Sequence, residues 1–302
     1  MDETAWLSER FEEHRGHLRA VAYRMLGSFN DADDAVQDAW LRVARSDPEQ
    51  VENLGGWMTT IVARVCLNML RARNVRREDA IDFHVPDAVV ISQVGGIQPE
   101  DQALLADSIG LALLIVLDTL APAERLAFVL HDLFGLPFEE IAPMVERTPT
   151  AARQLASRAR RRVRGAKPDV PTTDLTRQRT LVDAFFAAAR DADFDALIGL
   201  LDPDVVLRID GGAGLPAASM LLRGAEAVTR QAGRGLRSIF VSPGVRLRPA
   251  LVNGAAGVVV TADDRPMAVI GFTIADDKIV EIDAISDPQR LPTIAAALLA
   301  NG

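Results

Sequence analysis

The hydrophobic period changes once along this chain, and that change limits the fold more than any other feature. Up to about residue 165, apolar residues recur at three- and four-residue steps. Leu18, Val21, Ala22, Met25 and Leu26 form one stripe, Ala35, Val36, Ala39, Trp40 and Val43 a second, and Met58, Ile61, Val62, Val65 and Met69 a third. Such spacing marks the buried faces of amphipathic helices. Further on the runs shorten and become β-branched, at Val205–Ile209, Val245–Val252, Ala256–Ala262, Met267–Ile274 and Ile279–Ile285, with Asn253-Gly254 and Asp276-Asp277 as hairpin turns. Helices are expected near 177–190 and 193–201 before the first strand and near 223–236 after it. The expected fold class is therefore multidomain: two all-α helical domains, the second a helix-turn-helix, then an α+β domain with a curved sheet wrapped on helices.

Breaks in these patterns set the boundaries. Pro86, Gly95, Gly96 and Pro99 interrupt the helical period, and Pro168 and Pro171 interrupt it again. The expected division is residues 1–78, a linker at 79–100, residues 101–167, a linker at 168–176, and residues 177–302, which suits a chain of 302 residues. Within 101–165, Pro122 reads as a first helical turn, and Gly135 followed by Pro137 as a stop and restart.

Composition excludes several classes of function. The single cysteine, Cys66, rules out an intrachain disulfide and a cysteine-built zinc site, and no cofactor or metal is expected. The longest nearly uncharged apolar run, Ser108–Leu117, is far short of the ~20 residues that span a bilayer. The acidic start, MDETAWLSERFEEH, is unlike a secretory leader. A soluble, cytoplasmic, monomeric protein with no membrane partner is expected. The net charge of −9 argues against nucleic acid only until it is mapped. Eight basic residues lie between Arg147 and Lys167 with no acid among them, and Met58–Arg77 is likewise basic and acid-free, whereas acids cluster at Asp2–Glu13 and Asp31–Asp38. Two polar faces for two different partners follow from that split.

Residues 138–163 read FEEIAPMVERTPTAARQLASRARRRV. A helix over Phe138–Val145, a turn at Glu146–Pro149 and a second helix capped by Thr148 or Thr150 have helix-turn-helix spacing. Ala142, Val145, Ala151, Leu155 and Ala159 are expected to pack the pair. Arg153, Gln154, Ser157 and Arg158 then face outward near the half of a recognition helix that meets base edges in the major groove. Arginine suits guanine and glutamine suits adenine, each in a bidentate pair. Arg160, Arg161 and Arg162 are placed for phosphates.

The chain resembles the extracytoplasmic-function group of the sigma-70 family of bacterial sigma factors over nearly its whole length. Leu18–Val43 is similar to the core-polymerase-binding part of that family, Gly55–Glu78 to its promoter-melting and minus-ten-reading helix, and Leu120–Val163 to its minus-35-reading domain. The resemblance implies core RNA polymerase and promoter DNA as partners. Asp34, Gln37, Asp38, Leu41 and Arg42 would dock on the polymerase. Trp57, Arg64, Asn68 and Arg71, in step with Thr60, would grip the single-stranded minus-ten region. The loop Ser46–Gly56 would hold a flipped base. Helix-dipole stabilisation accounts for Asp31 and Asp33 without any partner.

Residues 174–302 resemble the SnoaL-like (NTF2-like) cone domain fused to one subgroup of these factors. That subgroup carries a DGGGK-type motif, an NPDKL-type motif and a WLPEP-like linker. Here those places read Asp210-Gly211-Gly212-Ala213-Gly214, Asp287-Pro288-Gln289-Arg290-Leu291 and FHVPDAVV at Phe83–Val90. The implied role is regulatory, with the domain contacting the linker and setting domain spacing, through Asp210, Gly211, Gly212, Asp287, Pro288 and Leu291. A small-molecule ligand is possible in such a domain. Two other readings stand beside this one: a one-component helix-turn-helix regulator with a ligand-binding cone domain, and an enzyme using Asp210 or Asp283 as a general base. Against the enzyme, this domain contains no tyrosine and no histidine.

Overall fold

A computed structural model describes residues 3–46, 51, 53–77, 84–92, 111–166, 174–212 and 219–296. They fall into two compact units, one drawn from Met1–Asp82 with Val116–Ala166, the other from Phe83–Ile115 with Lys167–Gly302.

The first unit is helical. Helices α1 (Glu3–Leu26), α2 (Phe29–Val43) and α3 (Leu54–Arg77) pack through the three apolar stripes, whose members Leu18, Met25, Val36, Ala39, Met58 and Val62 are buried. Between α1 and α2 the chain reverses in two residues. Gly27 takes φ +71°, which a side chain would oppose, and the Ser28 hydroxyl caps α2 by accepting from the Asp31 amide. Helix α4 (Leu111–Asp118) enters this unit at Val116 and is followed by α5 (Pro122–Phe128), which continues into a π-helical turn at Val129–Leu133. Arg125 of α5 is only 2% exposed. Its guanidinium meets Asp118 at 3.0 Å and turns toward the Arg24 carbonyl near the C-terminus of α1, where a cation is favoured.

The helix-turn-helix follows. Helix α6 is regular only over Phe138–Ile141, then loosens into turns that end at Glu146, φ +55°. Thr148 caps α7 (Pro149–Ala166) through its hydroxyl, and Pro149 occupies the first turn. The packing face differs from the sequence expectation by one residue. Ala152, Ala156, Ala159 and Val163 are buried, whereas Ala151 and Leu155 are only half-buried. Methyl-sized side chains let the two helices approach closely, and that leaves the bulkier Leu155 at the margin.

The second unit is α+β. Helices α8 (Leu175–Asp191) and α9 (Phe194–Leu200) lead into β2 (Leu201–Asp210) and β3 (Met220–Arg223), followed by α10 (Ala225–Val241). A meander completes it: β4 (Val245–Val252), β5 (Ala255–Ala262), β6 (Arg265–Ala275) and β7 (Lys278–Ile285), with the short α11 (Leu291–Ile294) after it. The hairpin turns at Asn253-Gly254 and Asp276-Asp277 take positive φ as expected, and so does Asp263-Asp264. With β1 (Val90–Ser92) the sheet order is β1-β4-β5-β6-β7-β2-β3, with β2 parallel to β7 and the other pairs antiparallel. Strand β1 comes from the expected linker, pairing Val90 with Val252 at the sheet edge. Inside, Phe185, Phe186 and Phe272 meet edge-to-face with centroids 5.6–5.9 Å apart, contacts worth about 0.5–1.5 kcal/mol each beyond burial.

Candidate nucleic-acid interface and linker clamp

On α2 the apolar residues Ala32, Ala35, Val36, Ala39 and Val43 are buried, so the helical period turns Asp34, Gln37, Asp38, Leu41 and Arg42 to solvent together. Leu41 is 48% exposed at the centre of that face. The neighbouring acids have partners within the chain: Asp33 receives a two-pronged ion pair from Arg19, and Asp31 pairs with Arg73. Ion pairing thus adds to the dipole effect expected for these two residues.

Helix α3 presents Arg64, Asn68 and Arg71 as an exposed row, with Trp57 and Thr60 half-buried above it. Acids of the helix-turn-helix stand across two clefts from this row. Glu140 and Pro143 face Trp57, Thr60 and Arg64, and Met144 and Glu146 face Arg64, Asn68, Arg71 and Arg42. Of the expected base-holding loop Ser46–Gly56, residues 47–50 and 52 lie outside the described residues.

Helix α7 exposes every expected reader: Arg153, Gln154, Ser157 and Arg158 are on its surface. Its arginines divide by flank. Arg158 and Arg162 both reach the buried Glu124 at 2.8 Å, Arg160 reaches Asp132 at 2.6 Å, and Arg153 lies over the Phe138 ring at 5.2 Å. A tract free of acids in sequence is thus partly neutralised in space. Gln154, Ser157 and Arg161 lie opposite the buried stripe and have no ion pair or side-chain hydrogen bond among the described residues. Arg161 thereby joins the outward row, whereas sequence spacing grouped it with Arg160 and Arg162.

In the second unit the linker residues are held by a compact charged cluster. Asp210, at the end of β2, accepts from the Val85 amide at 2.9 Å and from Arg290 at 2.8 Å, and His84 Nδ1 lies 3.2 Å from the same oxygen. Arg290 also donates to Asp87 at 2.6 Å and to the Val85 carbonyl. Further along, Asn253 and Val89 exchange two hydrogen bonds, at 2.6 and 2.8 Å. Burial by itself would raise the Asp210 carboxyl. Hydrogen bonds from His84, the Val85 amide and the Gly212 amide outweigh it and hold the group well below the usual carboxylate range. Gly212 has φ +77°, and a Cβ there would fall 2.1 Å from the Asp287 carboxylate, so both its backbone angle and its surroundings require glycine. Asp287 in turn accepts from the Gln289 amide at 2.8 Å, its carbonyl accepts from the Leu291 amide, and Leu291 is buried. Ala213 and Gly214 lie outside the described residues.

Two family models match the helical parts, Sigma-70 region 2 at residues 10–76 and Sigma-70 region 4 at residues 111–163. The probable sigma factor SigI of Mycobacterium tuberculosis is 32% identical over 97% of both chains. SigJ of the same organism is 35% identical over 93% of this chain and 91% of its own. The chain belongs to the extracytoplasmic-function RNA polymerase sigma factors. The crystal structure of M. tuberculosis SigJ superposes with a TM-score of 0.68 at 30% identity, covering 95% of this sigma factor and 98% of that chain. The helical regions and the sheet domain are thus both shared with that factor, and the sigma-factor reading stands over the one-component regulator.

Arg290 and His84 of this sigma factor hold the linker although no role was expected of either, and Asn253 was expected only as a hairpin turn. A signal was available, because Arg290 keeps a basic side chain where the subgroup motif has lysine. The two carboxylates considered as general bases are both placed elsewhere. Ile282 and Ala284 line the cavity between sheet and helices, so strand alternation turns Asp283 to the opposite face, where it pairs with Arg208 at 2.9 Å. Burial pushes the Asp283 carboxyl up to about 7 against the pull of Arg208. Among the described residues no group of three or more histidine, cysteine or acidic side chains could hold a metal, and no helix is long and apolar enough to cross a membrane.

Proposed function

We propose that this sigma factor docks on core RNA polymerase through Asp34, Gln37, Asp38, Leu41 and Arg42. It reads duplex minus-35 DNA through Gln154 and Ser157, with Arg161 of the same outward row on the phosphates, flanked by Arg153, Arg158, Arg160 and Arg162. Trp57, Arg64, Asn68 and Arg71 hold the opened minus-ten strand. The sheet domain tunes activity by gripping residues 84–92 between the two DNA-reading regions, and no covalent chemistry is assigned to it. The observation that carries this reading is the segregation on α2 and α7, where each candidate face is exposed and the opposite stripe is buried. Acids of region 4 opposite the α3 arginines, and Glu124 and Asp132 on the α7 arginines, describe a closed state that promoter DNA must displace.

Run-off transcription with purified core polymerase tests it, comparing residues 1–302 with a truncation ending at Lys167. A promoter-specific transcript from the full chain that Leu41→Asp abolishes is the expected result. The truncation's gain or loss of transcript then gives the sign of regulation by the sheet domain. Core binding undiminished by Leu41→Asp would move the docking face elsewhere.

A further inference from the structure

The bent sheet and the helices α8 and α10 leave a cavity of about 380 Å³ between them, where protein interiors ordinarily hold few voids larger than a water molecule. Its size comes from small side chains. Ala232, Gly235, Ala268 and Ala284 line it, each where a leucine would fill space and add apolar contact, so the chain forgoes stability to keep it open. Among the described residues no acidic or basic side chain reaches the wall, and Gln231, Ser242 and Ser286 supply its polar groups. An ionised group buried there would be unpaired and costly, whereas a neutral oxygen could accept from the Gln231 amide; the Ser286 hydroxyl already donates to the Asp210 carbonyl at 3.3 Å and keeps only its acceptor side. Met267, 54% exposed, stands at the rim with a flexible thioether.

The wall is also continuous with the linker clamp. Ile209 lines the cavity and Asp210 holds Val85. Ser286 lines it too, donates to the Asp210 carbonyl at 2.8 Å through its amide, and precedes Asp287. We propose that this cavity binds an uncharged, mainly hydrocarbon small molecule carrying one carbonyl or hydroxyl oxygen, and that its occupancy changes the hold on residues 84–92. The first half stands on the cavity alone, and the second rests on the linker reading above.

The test titrates the full chain with prodan, a neutral naphthalene ketone whose emission shifts to the blue in apolar surroundings. Saturable binding of one dye per chain is expected, with at least tenfold weaker binding of the anionic anilinonaphthalene sulfonate. Ala232→Leu and Ala268→Leu, which fill the space, should each weaken prodan at least tenfold. Gln231→Leu, which keeps the volume and removes the amide donor, should weaken it severalfold, and thermal unfolding confirms that each variant folds. Absence of saturable binding, equal binding of the anionic dye, or indifference to the filling variants would overturn the site. Hydrogen exchange at the Val85 and Val89 amides should then change at least twofold on saturation with prodan. Unchanged exchange in a chain that binds dye would overturn the coupling and leave the site intact, so the two failures are distinguishable.

Discussion

Arg290 neutralises two carboxylates that are almost wholly withdrawn from water, Asp87 and Asp210, with side-chain exposures of 4% and 5%. Removing one partner of such a buried cluster strands the other charges, at about 3–5 kcal/mol. Arg290→Ala should therefore lower stability in urea titration by that order and speed amide exchange at Val85, with Arg290→Lys intermediate. Gly212→Ala should also destabilise, because its Cβ would meet the Asp287 carboxylate from a backbone angle that opposes it. The two buried aspartates make opposite contributions to pH dependence. The Asp283 carboxyl is raised from about 4 to about 7 on folding, so the folded state binds the extra proton and this group's contribution to stability falls as pH rises through that window. Asp210 is lowered, so its contribution is present above its unfolded value near 4 and is lost as pH falls below it. Denaturation between pH 4 and 7 should show a shallower decline for Asp283→Asn than for the native chain.

At the scale of the element, α7 was legible as the second helix of a helix-turn-helix because its cap and its proline are local features. Its rotation about its own axis was not legible. Spacing was expected to turn Ala151 and Leu155 inward, and the contact with α5 and α6 instead chose the smaller pair Ala152 and Ala156. That choice separates the row Gln154, Ser157 and Arg161 from the flanking arginines and has measurable consequences. Gln154→Ala should cost about 1–3 kcal/mol of discrimination at one base pair. Arg161→Ala should weaken binding to all duplexes alike and lower the salt slope by about 0.9. Fluorescence anisotropy across a salt series separates the two effects, and an unchanged slope for Arg161→Ala would remove it from the phosphate contacts. The strands β1 and β3 were not visible in the sequence. Each is short, at three and four residues, and forms at an edge that another strand supplies.

For the whole molecule, charges far apart in sequence meet within the helical unit. Glu140 and Glu146 stand opposite arginines more than sixty positions earlier, so the proposed closed state would cover the α3 arginines with the chain's own acids. Spin labels at Arg64→Cys and Glu140→Cys should show dipolar broadening that disappears when core polymerase is added. Broadening that persisted in the complex would mean the closed state is the working one. Cys66 does not compete for the label, since it is buried and its thiol is pushed up to about 12. The sequence by itself determined the succession of helical and strand-rich parts, the buried stripes of the first three helices, and the meander with its turns, because periodicity, caps and turn residues act over a few neighbouring positions. Only the tertiary structure decided that Arg290 would bind Asp87 and Asp210, that Asp283 would face away from the cavity, and that Glu124 would occupy Arg158 and Arg162. Those outcomes depend on which side chains meet across elements, and Coulomb and packing energies fall off too steeply with distance for sequence spacing to specify them.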